Sequence, residues 1–232
     1  MTYPYIKVEF SAQNDFIMHL GEDGMLTDKA PQWAQLKHTS CPGNCHHQPS
    51  NNYCRLGVEM ELLIHYFSNI PSIQNGKITF YKDASVHITI TKSAQHIFSN
   101  AVWFILLHSD CLVFKHNQWL RKHYLPPSEK TDMFYTLFST YIMEELFISP
   151  QTPLDIQKFQ TNLDLLRRVL KSLLEQINRG VTVQSDSINN GFVILNNLIR
   201  LIEIGFDKVY QELQFQVREG STLNHQQSLF YQ

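Results

Sequence analysis

The segment KITFYKDASVHITITKSAQHIFSNAVWFILLH, residues 77–108, sets the fold class of the chain. Alternating apolar residues predict two strands, over 77–81 and 85–90, and the short polar connection between them predicts an antiparallel hairpin. Ser93 suits the N-cap of a helix over 94–108, because its side-chain oxygen can accept a hydrogen bond from the first turn. Strands and a helix in one continuous stretch indicate an α+β fold.

The preceding residues add to the same sheet and to the same layer of helices. Residues 5–10 and 15–20 alternate between apolar and polar in the manner of a second hairpin. Apolar residues recur every three or four positions from about 55 to 69, which predicts a second helix. We therefore predict a small antiparallel sheet with two packed helices over residues 1–125.

The remainder of the chain has the pattern of a helical protein. One helix is predicted from Ser128 to about residue 147. Thr152 followed by Pro153 is a helix-start signal, and the helix that it opens is expected to end at Gly180. A further helix is predicted from about 187 to 204, where Gly205 is expected to break or bend it. Together these helices predict a C-terminal antiparallel helical bundle.

The boundary between the two parts is predicted at Leu125-Pro-Pro127, because a proline pushes the residue before it out of the helical conformation. The chain would then consist of an α+β region (1–125), a helical region (126–217) and a flexible polar tail (218–232). The alternative is that these parts form one continuous domain. The helix over 154–178 carries a heptad-like apolar seam that can pack inside the chain or against a second copy in a homodimer. Packing inside the chain is favoured, because neighbouring helices are available.

The composition is that of a folded globular protein. Its 232 residues are 43% hydrophobic and 17% charged, and the net charge of −2 gives no indication of a nucleic-acid or membrane partner. A basic and aromatic stretch near 115–130 has the composition of a phosphate or nucleic-acid site, but solvated surface is the favoured interpretation because the net charge is slightly acidic. The N-terminus lacks the features of a signal peptide, and the longest apolar run, 101–107, is far shorter than the roughly 20 residues of a spanning helix. We expect a cytoplasmic protein, in which cysteines are thiols or metal ligands rather than disulfides.

All four cysteines of the chain lie in two stretches. Cys41, Cys45 and Cys54 share one loop, with three residues between the first two and eight before the third. Cys111 follows 57 positions after Cys54, just past the end of the predicted 94–108 helix. Cys54 immediately precedes the other predicted helix, so the two stretches would meet if these helices pack side by side. We predict one metal centre that uses all four sulfurs.

Zinc is the favoured metal, because His46 and His47 beside Cys45 are alternative ligands and zinc accepts both thiolates and imidazoles. A [4Fe–4S] cluster also takes four thiolates, and Cys41 is followed by proline, as cysteines are around some clusters. Two other interpretations remain open. The cysteines can be unrelated, some of them buried as small apolar residues, or they can form disulfides.

The same residues resemble an uncharacterised bacterial family. Its members begin with a strand pair and a Trp-Thr/Ala-x-Leu step into a three-cysteine loop, followed later by a Ser-x-Cys segment and by His-x-Leu-Pro. The resemblance covers the chain to about residue 205 and implies that the four cysteines act together, without implying an activity. The family has two residues between its first two cysteines, whereas this chain has three. The matching residues are Trp33–Leu36, Cys41, Pro42, Cys45, Cys54, Ser109–Cys111, Phe114, Lys115 and His123–Pro126.

The leading functional hypothesis is a non-catalytic, metal-stabilised protein with a binding or regulatory role. The sequence has no Walker A motif, no GxGxxG and no HExxH, so nucleotide hydrolysis, dinucleotide binding and zincin chemistry lack their usual signals. The first alternative is a redox or iron sensor that carries a [4Fe–4S] cluster.

The second alternative is an enzyme. Cys111 would be its nucleophile, with His108 or His116 as the base and Asp110 orienting the imidazole. The simpler interpretation, in which His108 and Asp110 are helix-end residues, is favoured.

A hydrolase built on the bound metal would instead need a carboxylate near the cysteines. Glu59 and Glu61 lie in the first turns after Cys54. Both are also compatible with the solvated side of that helix.

Overall fold

The strands of the described residues form one antiparallel sheet in the order β2-β1-β3-β4. β1 (Tyr5–Glu9) pairs with β2 (Phe16–His19) and with β3 (Asn75–Tyr81), and β4 (His87–Ser93) pairs with the other side of β3. Both predicted hairpins are therefore present, joined through β1 and β3. The fold comes from a computed structural model that describes residues 4–11, 13–20, 31–35, 41–43, 53–81, 87–109, 111, 113–114, 130–148, 154–181 and 186–228.

One face of the sheet is buried and the other faces solvent. Ile6 and Val8 of β1 are fully buried, as is Ile78 of β3. The residues between them point the opposite way, because side chains alternate along a strand. On that outer face Glu9 forms ion pairs with Lys7 at 3.0 Å and with Lys77 at 3.2 Å.

Two helices, α1 (Arg55–Phe67) and α2 (Ala94–His108), cover the buried face. Tyr66 of α1 stacks on Phe16 of β2 with ring centroids 4.8 Å apart, and Phe104 of α2 packs on Phe80 of β3 at 5.1 Å. Every residue from Ile97 to Leu107 is buried, so α2 is enclosed on all sides. A helix that is apolar all round belongs in the centre of a protein.

The C-terminal helices form a layer on the other side of α2. They are α3 (Lys130–Ile148), α4 (Ile156–Gly180) and α5 (Ser187–Ser228). Phe192 of α5 packs on Phe98 of α2 with centroids 5.6 Å apart. α4 runs antiparallel to α5, because Phe159 packs on Phe206 at one end while Leu174 lies beside Phe192 at the other. The α+β prediction is confirmed, and one hydrophobic cluster runs through the sheet and the helices of both parts.

Two helix boundaries differ from their predictions. α4 begins at Ile156, and its N-cap is Asp155, whose carboxylate accepts a hydrogen bond from the N–H of Lys158 at 3.0 Å. The predicted break at Gly205 is wrong, because α5 continues through it, whereas a bend at this residue stays a prediction. One glycine costs a helix only about 1 kcal/mol, and burial of the adjacent Phe206 outweighs that cost.

Three further predictions concern the C-terminal part: the domain boundary, the polar tail and the apolar seam. The predicted boundary at 125–127 lies outside the described residues. α5 continues to residue 228 and so includes the first part of the segment predicted as a tail. The apolar seam over 154–178 is buried within the chain, whereas a homodimer through this helix stays a prediction. The buried seam residues are Phe159, Leu163, Leu166, Leu170, Leu173 and Ile177.

Candidate metal centre

The C-terminal end of α1 meets the start of α2. Phe67, at the C-terminal end of α1, packs edge-to-face on Phe98 near the start of α2 with centroids 5.2 Å apart. The opposite ends of the helices are those next to Cys54, which precedes α1, and Cys111, which follows α2. With 13 and 15 residues, the helices are about 20 and 23 Å long at 1.5 Å per residue. Cys54 and Cys111 are thus next to the two helix ends that the Phe67–Phe98 contact does not join.

Backbone contacts hold Cys54 at the N-terminus of α1. Its N–H donates to the carbonyl of Ala34 at 2.8 Å, and its own carbonyl accepts from the N–H of Val58 at 3.0 Å. The adjacent Tyr53 forms a β-bridge with Gln35. Cys54 is the N-cap residue of α1, where the positive end of the helix dipole favours a thiolate.

A turn stabilised by Ser109 positions Cys111 at the end of α2. The hydroxyl of Ser109 donates to the carbonyl of Leu106 at 3.0 Å and accepts from the N–H of Cys111 at 3.4 Å. The N–H of Phe114 then donates to the carbonyl of Cys111 at 2.9 Å. The Phe114 ring is buried against Trp103 with centroids 6.2 Å apart. These contacts fix the backbone of Cys111 against the core.

The third described cysteine, Cys41, belongs to the same hydrophobic cluster as Cys111. Each of the two is 7% exposed, and the partly buried Cys54 packs against that cluster. The remaining predicted ligands, Cys45 and the alternatives His46 and His47, lie outside the described residues.

Within the described residues, no three His, Cys, Asp or Glu side chains are grouped closely enough to hold a metal ion. Cys41, Cys54 and Cys111 alone therefore do not make a preformed set of three ligands. A centre of the predicted kind needs Cys45 or one of the two histidines, and it needs the thiols to move together as the ion binds.

Trp33 lies between α1 and α4 close to the cysteine loop, in the short 3-10 turn Gln32–Ala34. A Cβ atom added to Gly57 of α1 would be 3.1 Å from the Trp33 ring, and one added to Gly180 of α4 would be 2.1 Å from the Trp33 Cβ. The indole Nε1 donates to Oε2 of Glu61 at 2.7 Å. In the sequence, Trp33 was notable only through the family resemblance. Its contacts with Gly57 and Gly180 could not be predicted, because both glycines are distant from it along the chain.

The residues considered for catalysis have structural contacts where they are described. Nδ1 of His108 donates to the carbonyl of Phe104 at 2.8 Å, as expected of a helix-end residue. Glu61 accepts the Trp33 hydrogen bond, which occupies one of its carboxylate oxygens. Asp110, His116 and the basic stretch up to residue 129 lie outside the described residues.

Comparison with protein families gives one match, over residues 4–222, to the family model described as Domain of unknown function (DUF6901). The chain belongs to this family. The match includes all four cysteines and extends through every strand and helix to residue 222 of α5. The resemblance to an uncharacterised family is thereby confirmed, although the details of its cysteine loop are not tested by the match.

No curated protein and no solved structure matches this DUF6901 chain significantly. Within the residues that the structure describes, every helix is too short or too polar to serve as a membrane span.

Proposed function

We propose that this DUF6901 protein is a non-catalytic cytoplasmic protein whose four cysteines bind one Zn²⁺. Cys41, Cys45 and Cys54 would supply three thiolates from the loop, and Cys111 the fourth from the end of α2. Such a centre would tie the loop to the helix layer and would leave the rest of the surface for a binding or regulatory role.

The observation that carries this proposal is the burial of the described thiols. Cys41 and Cys111 are each 7% exposed, and the partly buried Cys54 packs against the same core. Cys54 precedes α1 and Cys111 follows α2, so both candidate ligands are attached to the helix layer. The N-terminus of α1 favours the thiolate form of the partly buried Cys54, and zinc prefers thiolate ligands in a tetrahedral arrangement.

The binding would be coupled to ordering of the loop. The described thiols are not grouped as ligands, so part of the binding free energy would be used to close the loop around the ion. The role proposed for the metal is therefore structural. It would link the loop that holds Cys41 and Cys54 to the end of α2.

Metal analysis of freshly purified protein, combined with an ultraviolet–visible spectrum, tests the proposal. We expect one zinc per chain and no visible absorption. Brown protein that contains iron and absorbs visible light would instead support the [4Fe–4S] cluster. Protein without bound metal after purification in zinc-containing buffer would contradict both.

Two variants at the same turn distinguish a metal ligand from a residue that only supports the fold of the turn. Cys111→Ser should lose the zinc, because it removes one of the four sulfurs. Ser109→Ala should retain it, because it disturbs the hydrogen bonds that position Cys111 but keeps the thiol. Equal loss of zinc in both variants would indicate that the fold of the turn, rather than the thiol, determines the metal content.

A further inference from the structure

A groove between α4 and α5, distant from the cysteines in the sequence, is lined by cationic side chains. Its volume is about 340 Å³, within the range of small-molecule sites. Arg167, Arg168 and Lys171 of α4 line it together with Asn196 of α5. We call this feature the α4–α5 groove. Residues 167 and 171 are one helical turn apart, so both side chains reach the same side of α4.

The charges of the α4–α5 groove are not fully compensated. Arg167 is paired with Glu203 of α5, and Arg168 with Asp164 at 2.9 Å. No carboxylate of the described residues pairs with Lys171, which leaves one positive charge in excess. The Arg168 pair is about half exposed on both sides and is therefore weak.

Arg167 also has a donor that is not satisfied. Its Nε atom is buried, and no acceptor among the described residues lies within hydrogen-bond distance. Leaving a buried donor without a partner is unfavourable, and more so for a charged group. An acidic group bound in the α4–α5 groove would lie beside the exposed part of this guanidinium, whose planar donors match carboxylate and phosphate oxygens.

The rest of the groove is apolar. Leu174 of α4 and Phe192 and Val193 of α5 line it, and Val193 is 50% exposed although it is a large aliphatic side chain. We propose that the α4–α5 groove binds a small amphipathic organic anion. The acidic group lies between Arg167, Arg168 and Lys171, and the hydrocarbon part lies on the apolar side chains.

Chemical-shift perturbation in ¹H–¹⁵N spectra of the full chain tests this binding site. Hexanoate and hexyl phosphate serve as anionic probes, and 1-hexanol as the uncharged probe with the same chain length. We expect at least one anion to shift the amides of residues 167–174 and 192–196 in a saturable manner, with 1-hexanol binding at least tenfold more weakly. The comparison of the two anions distinguishes a carboxylate ligand from a phosphate ligand.

A pair of variants on the same helix completes the experiment. Lys171→Gln should weaken binding of the more tightly bound anion about fivefold, which is the upper end of the effect expected for one solvent-exposed ion pair. Arg179→Gln is the control, because Arg179 is an exposed cation near the end of α4 that does not line the groove. Absence of saturable shifts with either anion, equal binding of 1-hexanol, or equal weakening in both variants would overturn the proposal.

Discussion

Asp186 accepts two hydrogen bonds from Ser72, although the two residues are 114 positions apart. Its carboxylate receives the Ser72 hydroxyl at 2.8 Å and the Ser72 N–H at 3.0 Å. Next to it, the hydroxyl of Ser187 donates to the carbonyl of Phe67, the last residue of α1, which also accepts from the N–H of Ile70. The start of α5 is thereby attached to the end of α1.

The pH dependence of stability should reveal this attachment. The hydrogen bonds from Ser72 hold the pKa of Asp186 below its ordinary value of 3.8. A depressed carboxyl pKa adds stability above the unfolded-state pKa, and this contribution is lost as the pH falls through the folded-state pKa. Asp186→Asn should therefore be less stable than the wild type at pH 7, with the difference shrinking below about pH 4 in urea melts.

Ser72→Ala provides the control for that experiment. It removes the hydroxyl donor but keeps the N–H, so it should reduce the acid-dependent part of the difference without abolishing it. A difference between Asp186→Asn and the wild type that stays constant from pH 7 to pH 2 would argue against the hydrogen bonds as its source.

Two glycines of α5 should respond to alanine in opposite directions. A Cβ atom on Gly191 would be 2.5 Å from Cδ1 of the fully buried Phe98, so Gly191→Ala should destabilise the protein by about 1–3 kcal/mol. Gly205 has nothing within 4 Å of its Cβ position, so Gly205→Ala should stabilise the helix by about 0.5–1 kcal/mol. Urea denaturation measures both, and effects of the same sign would contradict the packing of α5 on α2.

The Trp33–Glu61 hydrogen bond should contribute to stability as a coupled pair. Trp33→Phe leaves the half-buried carboxylate without its donor and should cost about 1–3 kcal/mol. In that background Glu61→Leu should cost little more, because replacing both partners removes the unsatisfied group. A double-mutant cycle measured by urea denaturation gives the coupling, and purely additive losses would be evidence against the bond.

Tyr5 and Tyr81, directly opposite each other on β1 and β3, stack with centroids 4.2 Å apart and ring planes within 8°. Alanine substitutions at both positions should show a coupling of about 0.5–1.5 kcal/mol in thermal or urea melts. The pair Tyr5→Ala and Thr91→Ala is the control, because Thr91 on β4 is not opposite Tyr5 and the two losses should add. Coupling of equal size in both cycles would show that the stacking is not its cause.

Chelation provides a stability test of the proposed zinc centre. Removing the ion with a strong chelator should lower the melting temperature of the wild type by about 5 °C or more, since a ligand that binds only the folded state stabilises it. Cys54→Ser, which lacks one ligand, should melt at the same temperature with and without the chelator. A chelator effect of equal size in that variant would mean that the metal acts elsewhere.

The sequence predicted most of the local structure because the deciding signals are short-range. The alternation around Ile78 and Ile88 gave the strands. Ser93 is the N-cap residue of α2 as predicted, but its hydroxyl hydrogen-bonds to Nδ1 of His96 and not to a backbone N–H of the first turn. Gly205 misled the prediction of α5, since a local helix-breaking signal of about 1 kcal/mol does not include the burial of Phe206.

The candidate metal centre was likewise predicted in part from the sequence and depends in part on the tertiary structure. The sequence alone predicts that the four cysteines form a metal site, and it placed Cys54 and Cys111 next to helix ends. Only the tertiary structure decided that the end of α1 meets the start of α2, because the contact between Phe67 and Phe98 joins residues that are distant in the sequence. The α4–α5 groove is likewise a product of tertiary structure, since α4 must pack antiparallel on α5 before Lys171 and Phe192 can line one cavity.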